Sequence, residues 1–348
     1  MSKIPPPKNQ LAELIDKAHE NLPEKKREHL GASLLGHPCD RYLWLSFRWA
    51  IASDFPGRIL RLFRRGQLEE ETVIKDLRLI GCKINERQTS INFGSFISGS
   101  CDGIIDAGLP GYEDKRFVLE IKTHSKKSFD ELLKKGLYNA KEQHFIQMQV
   151  YMLGLQINRG LYYAVCKDDD RIYTEIIQID QPLAEKYVNR GKKISTSDYM
   201  PEPLSADPSW YQCKMCSFHE FCHETKLTKE VNCRTCALST ATTNSVFVCA
   251  RHDDEQIPGE FQLKGCDGHV LHPDLVPYQR IESASEFEAI YVIDGQHVRN
   301  GEPDERIYSS KEILADPSAC AHPDDTTEAL RVVFDAKLVS AKEAGFKD

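Results

Sequence analysis

The chain has 348 residues, 41% of them hydrophobic, with 45 Lys+Arg against 53 Asp+Glu, a formal net charge of −8, 12 cysteines and 12 histidines. This composition excludes a collagen-like or disordered chain, and no apolar run approaches the roughly 20 residues of a bilayer span. The N-terminal MSKIPPPKNQ lacks the apolar stretch of a secretory signal, so the expectation is a cytoplasmic protein without membrane contact, whose cysteines are metal ligands or buried thiols rather than disulfides. The acidic total argues at first against a nucleic-acid partner. The charge is uneven, however: residues 229–348 hold 12 Lys+Arg and 22 Asp+Glu, a net of −10, which leaves residues 1–228 at +2. The chain accordingly divides into a domain over 1–228, a Cys/His-rich module over 229–280 and an acidic α+β segment over 281–348.

In chain order, residues 9–22 read as an amphipathic helix, 39–50 as an aromatic-rich helix, and 58–80 as a longer helix with Arg58, Arg61, Arg64 and Arg65 in its first turns. The period then changes. Residues 91–106 alternate like strands, Pro110-Gly111 marks a turn, and 116–123 (RFVLEIKT) is a further strand. A helix over 140–156 precedes two strand-like runs, 160–167 and 171–179. Helix, hairpin, helix, hairpin implies an α/β fold with a mixed central sheet flanked by helices. Past residue 281, EAIYVID and RIYSS read as short strands.

Side chains alternate along a strand, so Glu120 and Lys122 share one face while Leu119 and Ile121 face the core. Alone, such a pair is an ordinary surface salt bridge. Asp102, at the end of the preceding strand in Gly99-Ser100-Cys101-Asp102-Gly103, changes the weighing, because a hairpin would bring it beside Glu120. Two converging carboxylates repel unless a cation lies between them, and hard oxygen ligands suit Mg²⁺ or Mn²⁺. The helix at 140–156 is apolar on nearly all sides, yet His144, Gln147 and Tyr151 form one polar stripe. A buried stripe needs partners.

GxxD (Gly99–Asp102), ExK (Glu120–Lys122) and QxxxY (Gln147–Tyr151), in this order, resemble the PD-(D/E)xK nuclease superfamily in its RecB-like branch, and within it bacteriophage-type members related to the CRISPR-adaptation nucleases. The resemblance spans about residues 30–225. It implies metal-dependent hydrolysis of DNA phosphodiesters, more as an exonuclease than an endonuclease. Asp102, Glu120, Glu70 and the Ile121 carbonyl would bind the metal. Lys122 would assist the attacking water, Gln147 and Tyr151 would position DNA or the lysine, and His144 would lie near the scissile phosphate. Glu70 stands where the family often has His, with Glu69 and Glu71 as alternatives.

Cys213, Cys216 and Cys222 form C-x2-C-x5-C, which structural zinc would fit with His219 or His223 as the fourth ligand. The nuclease resemblance instead implies a [4Fe–4S] cluster, with Cys39 as the distant ligand. Further on, Cys233, Cys236, Cys249 and His252 read C-x2-C-x12-C-x2-H, a zinc pattern. Cys266 and His269 compete with His252 for the fourth position. A nuclease-derived DNA-binding adaptor and a zinc-binding interaction scaffold remain alternatives, the latter with the acidic C-terminal region docking a protein partner. Lys126, Lys127, Lys134 and Lys135 join the four arginines as candidate phosphate contacts. Trp44 and Trp49 read as core, and Cys82, Cys101, Cys166 and Cys320 as plain thiols.

Overall fold

Apolar spacing and end caps set the first helices. In the computed structural model, which describes residues 10–22, 26–52, 55–283, 285–334, 336–339 and 344 and omits the side chains of 85–87, α1 (Leu11–Glu20) buries none of its residues. α2 (Asp40–Phe47) starts on Cys39, whose Sγ accepts from the Tyr42 N–H, and buries Leu43, Trp44, Leu45 and Phe47. α3 (Gly57–Leu79) runs beside α1, and the Gly57 N–H donates to Glu20 Oε1 at 2.7 Å.

Strands β1 (Leu30–Gly31), β2 (Lys83–Arg87), β3 (Ser90–Asn92), β4 (Ile97–Ser100), β5 (Gly103–Ala107), β6 (Phe117–His124), β7 (Arg159–Cys166) and β8 (Ile172–Gln178) form two sheets. The larger has the order β2-β5-β6-β7-β8 and is antiparallel except for the parallel β6–β7 pair. A parallel pair needs a crossover. Helices α4 (Lys126–Ala140) and α5 (Glu142–Leu155) supply it, and α6 (Gln181–Ser195), capped by Asp180, follows β8. The smaller sheet has the order β1-β4-β3. One face of the large sheet packs Ile105, Leu119 and Ile121 against Val73, Ile74 and Leu77 of α3. The other packs Val118, Tyr162 and Ala164 against Ile146, Met148 and Val150 of α5.

The mixed sheet and its flanking helices agree with the sequence pattern. The 91–106 run resolves into β3, β4 and β5, interrupted at Gly94, Ser95 and Phe96, all with positive φ. Before residue 200, two of the described α-helices escaped the pattern. In α4 the left-handed Gly136 (φ 72°) breaks the helical period, and α6 is largely polar.

Beyond residue 200, α7 (Tyr211–Lys214) carries Cys213, and β9 (Ser239–Ala241), β10 (Phe247–Cys249) and β11 (Glu255–Gln256) form an antiparallel sheet followed by α8 (Gly259–Gln262). A second sheet comprises β12 (Gln279–Ile281), β13 (Ala289–Ile293), β14 (Gln296–Asn300) and β15 (Ile307–Tyr308), followed by α9 (Ser310–Ala315), α10 (Pro317–Ala321) and α11 (Asp325–Phe334). The expected division at residue 280 is not a packing boundary. Cys236, Leu238, Val270 and Leu271 share one core with Ala289, Tyr291 and Ile313, while Ala241, Phe247 and Leu275 enter the core of the N-terminal domain. Segments this short carry too little apolar surface for separate cores. Among the described residues no helix is long and apolar enough to cross a membrane.

Two glycines make a test of this packing. A Cβ on Gly99 would lie 2.9 Å from Ala32 Cβ and 3.0 Å from the Tyr151 ring, whereas one on Gly66, inside α3, meets nothing within 4 Å. Gly99→Ala is expected to destabilise by about 1–3 kcal/mol through overpacking. Gly66→Ala is expected to stabilise by up to about 1 kcal/mol through helix propensity. Urea unfolding of the two variants checks both signs.

Candidate active site

The antiparallel β5–β6 pairing sets Gly103 opposite Leu119, which brings Asp102 to the end of the ladder beside Glu120. Asp102 Oδ2 accepts from the Ile121 N–H at 2.7 Å. Glu120 is 1% exposed, on the α5 side of the sheet. Its Oε1 accepts from Gln147 Nε2 at 2.7 Å and from the Lys122 ammonium, and Gln147 Nε2 also lies 3.1 Å from Tyr151 Oη. The other oxygen, Oε2, is buried without a hydrogen-bond partner. The polar stripe of α5 thus has its partners: Gln147 and Tyr151 line up behind the Glu120 carboxylate.

Burial pushes the Glu120 carboxyl up to about 8; Lys122 draws it down, and Asp102 and Glu70 raise it further. Burial likewise raises Asp102, against the pull of Lys122 and the Ile121 N–H. Burial opposes the Lys122 charge, but Glu120, Asp102 and Glu70 together carry its pKa above the ordinary value. Of the three α3 candidates, Glu70 is the one whose charge is felt at Glu120 and Lys122. Glu69 acts instead on Tyr163, which packs in the core on the α3 side of the sheet.

Two further members escaped sequence reasoning. His124 continues the Glu120–Lys122 alternation by one more step, a signal that was there to read. Tyr162 stands beside Glu120 in the parallel register, which depends on a pairing the sequence does not reveal. Tyr162 Oη lies 2.9 Å from His124 Nε2 and 2.9 Å from His144 Nδ1, and His124 Nδ1 lies 3.0 Å from Ser128 Oγ. Burial first, then neighbouring cations including Lys122, holds His124 down at about 4 and His144 at about 3, so both are neutral at pH 7.

Much of the expected phosphate-contacting row is engaged elsewhere. Arg61 pairs with Asp16 at 3.1 Å, Lys126 with Asp169 at 3.5 Å and Lys135 with Glu131 at 2.7 Å. Arg65 donates to the Lys167 carbonyl at 3.0 Å, and Arg64 lies 3.5 Å from His19. Arg58, Lys127 and Lys134 face solvent. Trp44 and Trp49 are buried, as expected of core. Cys101 bonds the Gly103 carbonyl and is pushed up to about 12 by burial, which leaves it no nucleophilic role.

Cys39, Cys213, Cys216 and Cys222 line one cavity of about 30 Å³. Arg190 of α6 fixes the turn that presents Cys39, donating to the Leu35 and His37 carbonyls at 2.8 Å each. Cys39 and Cys216 each accept a backbone N–H at 3.4 Å, from Tyr42 and Phe218. His219 also reaches this cavity, with Nδ1 3.0 Å from the Cys213 carbonyl, and so does His223, whose Nε2 is buried without a partner. A second cavity, of about 20 Å³, has Cys233, Cys236, Cys249, Cys266 and His269 in its lining. His252 is not on its wall but on an exposed turn. Among the described residues no three or more His, Cys, Asp or Glu side chains are arranged as a group that could hold a metal ion. The structure presents carboxylates and thiols that converge on shared spaces.

No protein-family model matches the sequence, and no curated protein matches it. Among solved structures the chain is similar to SSO0001 (TM-score 0.41, 19% identity), covering 61% of this chain and 96% of that one. It is also similar to an alkaline exonuclease, LHK-Exo, from Laribacter hongkongensis (TM-score 0.35, 16% identity, 52% of this chain and 90% of that one). A third is a phage related exonuclease from Haemophilus somnus 129PT (TM-score 0.29, 20% identity, 37% and 67%).

Depressed histidine pKa values make stability fall in acid. Between the ordinary value of 6.5 and the folded values near 4 and 3, the unfolded chain binds more protons at His124 and His144 than the folded one. Their contribution is complete above pH 6.5 and is lost as pH falls toward 4. In His144→Gln the decline in unfolding free energy between pH 7 and pH 5, measured in urea, is expected to be shallower than in the parent chain.

Proposed function

We propose that the protein is a metal-dependent DNA nuclease of the PD-(D/E)xK type, in its RecB-like branch, acting on DNA ends as an exonuclease. The observation that carries this reading is the buried Glu120 carboxylate with one oxygen unpaired, set beside Asp102 and Lys122. A buried unpaired carboxylate oxygen is costly, and a second carboxylate makes it more so. A hard divalent cation relieves both, so the donor set fits Mg²⁺ or Mn²⁺. Asp102, Glu120, Glu70 and the Ile121 carbonyl would hold it. Such an ion, when bound, lowers the pKa of water and offsets the charge of a phosphodiester.

The chain's own groups supply the rest. Gln147 and Lys122 hold Glu120 Oε1, which leaves Oε2 without a partner. Lys122 is the cation of the site, with its side chain 28% exposed. It would orient the attacking water and donate to the oxygen on which negative charge develops. Tyr151 fixes Gln147 from behind. Neutral His144 and His124, linked through Tyr162, form a wall beside Lys122 that adds no positive charge to compete with it.

The cavity at Cys39, Cys213, Cys216 and Cys222 supports a [4Fe–4S] cluster. Four thiols from two distant segments face one space, and backbone N–H groups point at two of the sulfurs. Its role in this reading is structural: it ties the start of α2 to the chain after α6. The acidic C-terminal region is the surface offered to a protein partner.

End-labelled single- and double-stranded DNA incubated with Mn²⁺ or Mg²⁺ should be shortened from its ends. Glu120→Ala and Lys122→Ala should each slow cleavage by about 10²-fold or more, on the scale of losing one transition-state-stabilising group. Equal cleavage by the variants, or none by the parent chain, would refute the nuclease reading. Anaerobically purified protein should be brown and Cys213→Ser colourless; a colourless parent chain holding only zinc at this site would overturn the cluster.

A further inference from the structure

The second cysteine cavity stands apart from the nuclease chemistry, and its geometry settles a question the spacing left open. His269 is no ligand, because both of its ring nitrogens are engaged: Nδ1 lies 2.8 Å from Ser310 Oγ, and Nε2 lies 3.1 Å from the Asn232 carbonyl and 3.2 Å from Thr235 Oγ1. His252 does not reach the cavity. Cys266 does, from the loop after α8, and joins Cys249 at the end of β10 and the Cys233–Cys236 turn. That turn is held by its own hydrogen bonds. Asn232 caps it, its side chain accepting the Arg234 N–H at 2.9 Å while its own N–H donates to Thr235 Oγ1 at 3.1 Å. The N–H groups of Leu238 and Val270 both point at Cys236 Sγ, at 3.4 Å. Paired donors of this kind favour a thiolate over a thiol. Four soft ligands in C-x2-C plus two match tetrahedral zinc.

Between the first two cysteines sits Arg234, which is 1% exposed and leaves its own module. Its guanidinium donates to the Phe47 carbonyl at 2.9 Å, the Glu28 carbonyl at 2.8 Å and Gln262 Oε1 at 2.9 Å, and lies 3.7 Å from the centre of the Trp49 ring. Phe47 and Phe247 also flank it, at 4.9 and 4.6 Å. From the other side Arg48 donates to the Arg234 carbonyl at 3.2 Å. A buried guanidinium is tolerated only where its hydrogen bonds are all but complete, so the turn that aims it must be rigid.

We propose that Cys233, Cys236, Cys249 and Cys266 hold one Zn²⁺ through four thiolates, and that this zinc turn holds Arg234 in its socket in the N-terminal domain, clasping the two halves of the chain. Metal analysis and zinc-edge X-ray absorption on the full-length protein test the site without depending on any variant. The expected result is one zinc per chain in an all-sulfur shell. A nitrogen ligand in that shell, iron in place of zinc, or four thiols that react freely in the folded protein would overturn it. Cys266→Ser should lose the zinc, while His252→Ala and His269→Asn retain it; the reverse pattern contradicts the ligand set. For the clasp, Arg234→Met should keep the zinc yet unfold at lower temperature. Combined with Cys266→Ser, it should add little to the loss in Tm, since both act on one element. Fully additive losses, or an unchanged Tm in Arg234→Met, would overturn the clasp. None of these readings depends on whether the protein cleaves DNA.

Discussion

A carboxylate shut away from water must share its charge with something, and in this fold Glu120 shares only one of its two oxygens. Leaving the other unpaired costs about 1–3 kcal/mol or more. Much of the surrounding structure serves the oxygen that is held, Oε1, and the groups beside it. Helix α5, otherwise apolar, carries Gln147 and Tyr151 to the carboxylate. Strand β6 places Lys122 two residues on, on the same face, and β5 ends so that Asp102 meets the Ile121 N–H. The parallel β6–β7 pairing adds Tyr162, which links two neutral histidines into the wall beside Lys122. An assembly this costly in polar burial fits the cation-binding site proposed above.

The same logic of buried charge recurs at the junction between the halves of the chain. Arg48 and Arg234 are both almost wholly enclosed, against Trp44 and Trp49 respectively, and both donate across the junction. Apolar contacts alone would join the two parts without fixing their register. Guanidinium groups bonded to specific carbonyls fix it, because any other seating leaves a charge unpaired. The acidic C-terminal region, with its net −10, is therefore attached to the N-terminal domain through two cations that the formal charge sum does not reveal.

Much of the candidate site was legible because strand alternation is strict. Period two alone puts Glu120 with Lys122 and sends Leu119 and Ile121 to the other face, where they pack on α3. The odd polar stripe on α5 was legible for a different reason: buried amides on an apolar helix need partners. What stayed hidden depended on the third dimension. Tyr162 enters through a parallel pairing, and α4 carries a left-handed Gly136 that breaks its period. His269 has a ligand's spacing but finds Ser310 and Asn232 instead. Two of the basic residues taken for a phosphate-binding row have acidic neighbours that sequence distance conceals, Asp16 beside Arg61 and Asp169 beside Lys126. The core that spans residue 280 stayed hidden because charge composition reports surface, whereas packing is decided by which apolar residues meet.

The central claim, that the unpaired Glu120 oxygen is one wall of a divalent-cation site, is tested most directly by metal binding without turnover. Titration of the protein with Mn²⁺, followed by the loss of the free-ion electron paramagnetic resonance signal, should reveal bound ion in the parent chain. In Glu120→Gln, which keeps the shape of the side chain, this binding should be lost or weakened by at least about tenfold, equivalent to about 1.4 kcal/mol. Binding of equal strength in the two proteins would contradict the account.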